Sequence, residues 1–243
     1  AYIWTGSAVR AVERLDTTKL DLLRGIAEQK ERVVTNVLRL AQGHAAHDML
    51  LWGSRGMGKS ALLRASVAFA QSGHPGQIAL VQIAQDALSS ITGLFTALAG
   101  TDRRFLVYID DLGFEDDDGS GPRLLRSWLE GGVEARPANV RLAVTSNRRA
   151  IVSRHLSEQD DPVNPRDVLD DKLALADRFG MSIGFHNCSQ EDFLEIIQSY
   201  ADFHALEWDR ADALEWSRRR GGRSGRIAWQ YVVELAGRAG RTL

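Results

Sequence analysis

Apolar residues fall along this chain in two rhythms. Short, nearly unbroken apolar runs recur at Met49-Leu50-Leu51-Trp52, Ile78-Ala79-Leu80-Val81-Gln82-Ile83, Phe105-Leu106-Val107-Tyr108-Ile109, Val140-Arg141-Leu142-Ala143-Val144 and Met181-Ser182-Ile183-Gly184-Phe185. Runs of this length predict strands buried on both faces. Between them the pattern is helical: Leu22, Leu23, Ile26, Val33, Val34, Val37 and Leu38 recur at helical spacing in 19–40, and residues 61–70 and 87–98 have helix composition. Gly25 interrupts the first of these stretches and divides it into two helices. Alternating strands and helices predict a parallel sheet covered on both faces, with any ligand at the carboxyl ends of the strands. From Ser189 onward the pattern is helical only, opening on Ser189-Gln190-Glu191-Asp192, a capping-box sequence.

The strand at Met49 runs into Gly53-Ser54-Arg55-Gly56-Met57-Gly58-Lys59-Ser60, which matches G-x-x-x-x-G-K-[ST], and Ala61 begins the helical stretch behind it. Glycines here allow backbone N–H groups to approach phosphate oxygens, and the helix N-terminus adds positive potential. The reading is a nucleoside triphosphate site in which Lys59 reaches the β- and γ-phosphates and Ser60 ligates Mg²⁺.

Two later strand ends carry matching chemistry. Asp110 and Asp111 close the run 105–109. Asp110 is the expected metal-side carboxylate and Asp111 the group that polarises water. Thr145-Ser146-Asn147 closes the run at Val140, and Asn147 is the chosen contact to the γ-phosphate or attacking water. Taken alone, Thr-Ser-Asn is ordinary turn chemistry; its order behind two phosphate-site motifs reverses that reading. Arg178 and Arg226 are candidates for a late guanidinium, although spacing alone favours solvated or ion-paired side chains for both.

Composition narrows the classes. With 30 basic and 32 acidic residues the formal charge is −2, so no global field draws the chain to nucleic acid or membrane. Cys188 is the single cysteine, excluding an intramolecular disulfide and fitting a reducing, cytoplasmic setting with a buried, inert thiol. No stretch approaches the roughly 20 apolar residues that cross a bilayer, and the N-terminus lacks the order of a secretory signal. The chain opens on Ala1 rather than Met, so the expectation is a trimmed chain with partner-specifying regions outside it. The histidines show no paired metal-ligand spacing, and Trp208, Trp216 and Trp229 read as packing residues of the helical region. The acidic run 115–118 reads as a solvated loop, and Arg218-Arg219-Arg220-Gly221-Gly222-Arg223 as a helix end rather than a nucleic-acid contact.

Together these stretches resemble an AAA+ P-loop ATPase, and specifically a family of predicted ATPases defined as a domain of unknown function (DUF815 type). The resemblance is carried by Leu50 to Ser60, Ile109-Asp110-Asp111-Leu112-Gly113-Phe114-Glu115, Leu129-Glu130-Gly131-Gly132, Thr145-Ser146-Asn147-Arg148-Arg149, Ala176-Asp177-Arg178-Phe179-Gly180 and Arg223-Ser224-Gly225-Arg226-Ile227-Ala228. It implies an α/β fold with a five-stranded parallel sheet flanked by helices, an α/β nucleotide-binding domain over 1–188 with an N-terminal helical segment, and a small helical lid domain over 189–243. It also implies ATP with Mg²⁺ as ligands, with Gly25 and Ile26 at the adenine pocket. By the resemblance Asn147 is a sensor-1 residue, Arg226 a sensor-2 arginine, and Arg178 an arginine finger offered in trans within a homo-oligomeric ring. Most AAA+ motors carry Glu where this chain has Asp111, which points toward slow turnover. The expected function is therefore ATP hydrolysis coupled to assembly or partner remodelling; the alternative is an ATP-gated binding switch, like a helicase loader or initiator, with little turnover.

Overall fold

The computed structural model describes residues 1–112, 128–129, 136–147 and 177–243. The expectations for Gly113-Phe114-Glu115, for the acidic run, for Glu130-Gly131-Gly132, for Arg148-Arg149 and for Ala176 fall outside them. A sheet of seven strands, β1 (Tyr2–Trp4), β2 (Val9–Ala11), β3 (Met49–Gly53), β4 (Ile78–Ile83), β5 (Arg104–Ile109), β6 (Val140–Ser146) and β7 (Met181–Phe185), runs in the order β2-β1-β4-β5-β6-β3-β7. All neighbours are parallel except β1 and β2. The five strands expected from the apolar runs are contiguous and parallel, β4-β5-β6-β3-β7, and β1 extends that parallel part beside β4.

The sheet is larger than expected because the residues ahead of the helical pattern at 19–40, for which no strand was expected, supply β1 and β2. These strands are three residues each, and β2 is exposed throughout, so neither has the length or apolar content to register as a periodic signal. Of the two helices expected on either side of Gly25 (φ +71°), the second forms as α1 (Ala27–Ala41), whereas the first is a single 3₁₀ turn (Leu20–Leu22).

Alternation along the strands sorts side chains into two cores. Met49, Leu51, Leu106 and Tyr108 face α1, α2 (Lys59–Gly73) and the C-terminal helices α4 (Gln190–His204), α5 (Arg210–Arg219) and α6 (Gly225–Arg238). Leu50, Phe105, Val107 and Ile109 face α3 (Ile91–Leu98) and Trp128. Buried Asn36 of α1 clamps the approach to β3 with two hydrogen bonds of 2.9 Å, one to the His47 carbonyl and one from the His47 amide. Asp48 then accepts from the Leu142 amide and from Arg136, each at 2.7 Å, which sets β3 beside β6. The strand bearing the glycine-rich loop is thus held at its start by α1, by β6 and by Arg136. No helix among the described residues is long and apolar enough to cross a membrane.

Leu50 and Leu51 are both fully buried but belong to opposite cores. Leu50→Ala and Leu51→Ala should each lower unfolding free energy by about 2–5 kcal/mol. Phe69→Ala, at a half-exposed position, should change it by less than about 1 kcal/mol. Urea denaturation of the three variants measures the difference.

Candidate functional site

The loop between β3 and α2 takes its shape from two glycines in left-handed conformations, Gly56 (φ +77°) and Gly58 (φ +87°), which ordinary side chains resist. Gly58 is the N-terminal boundary of α2, and no side chain caps that end, leaving the amides of the first turn directed at the cavity in front of it. Gly53, at the end of β3, lies so close to the Phe185 carbonyl that no Cβ fits there. A polyanion of the size of a triphosphate suits such a cradle: backbone donors, a helix N-terminus, and no side chains in the way.

Lys59 is only 5% exposed. Its ammonium donates to the carbonyls of Gly53 and Ser54, each at 2.9 Å, and to Asn147 Oδ1 at 3.1 Å. Burial lowers its pKa from the ordinary lysine value; Asp111 and Asp110 oppose the shift and Arg226 adds to it. Asn147 in turn donates through Nδ2 to Asp111 Oδ1, so one amide joins the loop cation to the second carboxylate.

The first carboxylate is held differently. Ser60 Oγ and Thr145 Oγ1 both donate to Asp110 Oδ1 at 2.8 Å, and Thr145 Oγ1 accepts from the Asp111 amide at 2.9 Å. Burial alone would raise the Asp110 pKa; the Tyr108, Ser60 and Thr145 hydroxyls and the Arg64 charge outweigh it and hold the carboxyl below its ordinary value. Tyr108, buried behind Asp110, has no hydrogen-bond partner of good geometry for its hydroxyl, and burial with the Asp110 charge raises its pKa. Ser60 and Asp110, the pair expected at Mg²⁺, are therefore in contact beside a buried hydroxyl with spare capacity, and that oxygen-only set suits a hard cation completed by phosphate oxygens. Asp111 sits at φ +50°, a left-handed conformation that Asp and Asn tolerate better than most residues.

A cavity of about 370 Å³ opens onto these groups. Arg55 and Met57 of the loop and Lys59, Ser60 and Ala61 at the start of α2 line it, with Ile26, Asp110, Asp111, Asn147 and Arg226. Arg24 and Arg64 bring its cations, with Arg55, Lys59 and Arg226, to five against two carboxylates, a balance that favours an anionic ligand. Arg64 lies four residues beyond Ser60, one helical turn on the same face, a signal that spacing could have supplied. The Arg226 amide donates to the Gly56 carbonyl at 3.1 Å, and Ser224 caps α6 by accepting from Ile227. The C-terminal helices thus rest directly on the glycine-rich loop.

Other expected residues lie beside the cavity or away from it. Gly53 and Ser54 face it through carbonyls bonded to Lys59, while the Ser54 hydroxyl donates to Asn187 at 2.5 Å. Gly25 is off the wall, with its backbone against Asp192 of α4. Arg178 is partly buried three residues before β7, at the opposite end of the sheet from the loop, about 16 Å away along a five-residue strand. Tyr200 and Trp229 also line the cavity, Trp229 in addition to the packing role its helical setting suggests.

A family model described as "Protein of unknown function (DUF815)" matches residues 1–239. Solved structures share the fold. The Thermotoga maritima RuvB Holliday junction branch migration motor is 18% identical, with a TM-score of 0.58 over 93% of this chain and 68% of that one. A single-substitution variant of that RuvB gives 17% identity and a TM-score of 0.58, over 94% and 68%. The Aeropyrum pernix ORC1 protein in complex with DNA is 14% identical, with a TM-score of 0.60 over 96% and 68%. At these identities the likeness carries the AAA+ P-loop architecture alone. No curated protein gives a significant match.

Cys188 lies buried in the turn between β7 and α4, next to Asn187, which meets the loop through Ser54. Burial and the Asp192 charge, partly offset by Arg223, push its thiol up to about 11. The thiolate fraction at pH 8 is then about one in a thousand, and it rises about tenfold per pH unit until the pKa is reached. Labelling by a thiol reagent at pH 8 should be at least tenfold slower in the native protein than in urea.

Proposed function

The chain belongs to the family described as "Protein of unknown function (DUF815)" and has an AAA+ P-loop fold, and from that premise we propose that it binds ATP with Mg²⁺ and hydrolyses it to ADP and phosphate. The observation that carries this reading is the contact of Ser60 with Asp110 directly beside the buried Lys59 ammonium, at the mouth of a cavity rich in cations.

In this proposal the loop amides and Lys59 hold the β- and γ-phosphates, and Ser60 and Asp110 hold Mg²⁺, which when bound supplies neutralisation of phosphate charge. Lys59 exchanges its bond to Asn147 for phosphate oxygens, a stronger acceptor for an ammonium than an amide. That exchange leaves Asn147 and Asp111 to orient water, with Asp111 as the proton acceptor. Arg226, on a helix already bonded to Gly56, adds its charge at the γ-phosphate from the lid domain proposed over 189–243, the α/β domain being 1–188. Arg178 lies ahead of β7, at the end of the sheet opposite its own cavity, and that position supports a role as a finger for a neighbouring copy in an oligomer.

A second reading is favoured by one observation: Asp111 is bonded to Asn147 and carries a short side chain. A carboxylate so engaged suits an ATP-gated switch with slow turnover, in which nucleotide state sets assembly or affinity for a macromolecule. The neighbours named as a branch migration motor and as a DNA complex make a nucleic-acid-associated partner one version of that reading.

Lys59→Ala should abolish ATP binding measured by calorimetry. Asp111→Asn, which suits the left-handed backbone, should keep ATP affinity within about threefold and lower turnover about 10²–10⁴-fold; normal turnover would remove Asp111 as the base. Specific activity should rise with protein concentration and collapse in Arg178→Ala. Flat, near-zero activity with ATP bound favours the switch, whereas equal assembly and partner binding with ATP, ADP and no nucleotide removes it.

A further inference from the structure

Among the described residues, three buried side-chain polar atoms lack a hydrogen-bond partner: Nε of Arg103, Nε1 of Trp216 and the hydroxyl of Tyr108. Arg103 places its other nitrogens on the Tyr2 hydroxyl and the Ile78 carbonyl, and Trp216 lies under the Arg220 guanidinium. Tyr108 differs from both, because it stands beside the pair expected at the cation. Its side chain is fully buried, and Leu51, Leu106 and Ala143 in the same core carry no polar atom. A buried hydroxyl left unpaired is destabilising, and phenylalanine would fill the same space without it. Packing alone therefore gives no reason for the oxygen.

The strand carries that oxygen to Asp110. Tyr108 lies in β5 and Asp110 two residues on, just past its end, so the two share the face of the sheet that α2 covers. The groups that act on the hydroxyl are Asp110 and Ser60, with Arg64 one helical turn beyond Ser60. Burial and the Asp110 charge raise its pKa, so it keeps its proton and remains a donor. Asp110 Oδ1 already accepts from Ser60 Oγ and Thr145 Oγ1, each at 2.8 Å. An ionised carboxylate has about four lone-pair sites, which leaves room for a cation and for one donor more.

We infer that Tyr108 is a positioning residue of the cation site, its hydroxyl being the reserve donor that fixes the Asp110 carboxylate when Ser60 and Asp110 hold Mg²⁺. The inference rests on the metal-nucleotide reading above. Hydrogen bonds at working sites are often poorly aligned in the free protein and tighten when the ligand is present. Donors behind a metal-ligating carboxylate set its orientation, and their loss weakens the metal rather than the fold. Thr145 supplies one such donor from β6, and Tyr108 supplies the other from the strand that leads into Asp110 itself. The consequence is that removing the tyrosine oxygen raises the Mg²⁺ requirement of nucleotide binding and leaves metal-free binding alone.

The test is calorimetric titration of ATP into the whole chain, in EDTA and across a range of Mg²⁺ concentrations, for wild type, Tyr108→Phe, Asp110→Asn and the double variant, with urea denaturation of each. Tyr108→Phe should raise the Mg²⁺ concentration that gives half of the gain in ATP affinity about 10- to 100-fold, the range for loss of a group behind a metal ligand. It should hold ATP affinity in EDTA within about twofold and unfold at no lower urea concentration than wild type. Added to Asp110→Asn, the same change should alter the Mg²⁺ requirement less than about twofold, because the carboxylate it positions is gone. An unchanged Mg²⁺ requirement in Tyr108→Phe, an equal loss of ATP affinity with and without Mg²⁺, or an equal effect in both backgrounds would overturn the assignment. A wild-type chain whose ATP affinity is the same in Mg²⁺ and in EDTA overturns the cation site and this assignment with it, and spares the phosphate cradle; one that binds no ATP overturns the whole reading.

Discussion

A buried ammonium is tolerable only if oxygen acceptors replace its water, and the surroundings of Lys59 follow from that requirement. Two of its acceptors are carbonyls of its own loop, which bend back to meet it. The third is Asn147, at the end of a strand that neighbours β3 in the sheet. The loop shape, the pairing of β3 with β6 and the side-chain contact to Asp111 all converge on this one charge. Each acceptor is neutral, so an anion entering the cradle improves on what is already there. The resting arrangement is stable enough to fold and weak enough to exchange.

The loop is also a platform for the chain's two ends. Gly56 gives its carbonyl to the Arg226 amide, and a Cβ at Gly56 would press within 3.0 Å of Ser224 Oγ. At the other side of the cavity, Gly25 presses on Asp192, whose carboxylate completes the capping box of α4. Both contacts use glycines in left-handed conformations, where backbones approach without side chains between them. The N-terminal segment and the C-terminal helices therefore meet across the loop without sharing a strand or helix. The loop and α6 are thus joined by a backbone bond, with no relay of side chains between them.

What could be read from the sequence followed from how local each signal was. The loop motif, the paired carboxylates and Thr145 to Asn147 are contiguous, and each closes an apolar run long enough to declare a strand. The polar end of the cavity was legible for that reason. β1 and β2 were not, because a three-residue strand has no period and β2 buries nothing. The aromatic part of the cavity wall was hidden for a different reason. Tyr200 and Trp229 are far from the loop in sequence, and at helical spacing an aromatic residue that packs a core and one that walls a cavity look the same. Arg64 stands between these cases: its spacing from Ser60 placed it on the correct face, but an arginine on a helix face has too many uses for spacing to choose among them.

The departure at Asp111, an aspartate where a longer carboxylate is more usual in this fold, has a physical reading in the backbone. A residue at φ +50° points its Cβ in a direction that an extended strand end does not. The chain turns immediately after β5, with the Asp111 amide tied to Thr145 Oγ1 and the Leu112 amide to the Thr145 carbonyl. The turn carries the carboxylate to Asn147 despite the short side chain. Reach is supplied by the main chain, and a side chain with fewer rotatable bonds loses less freedom in holding one position. The same turn favours residues at ease in the left-handed region, Asp and Asn among them, over longer ones. Backbone conformation and side-chain length at position 111 are thus a matched pair, so the shorter acid follows from the geometry that places it.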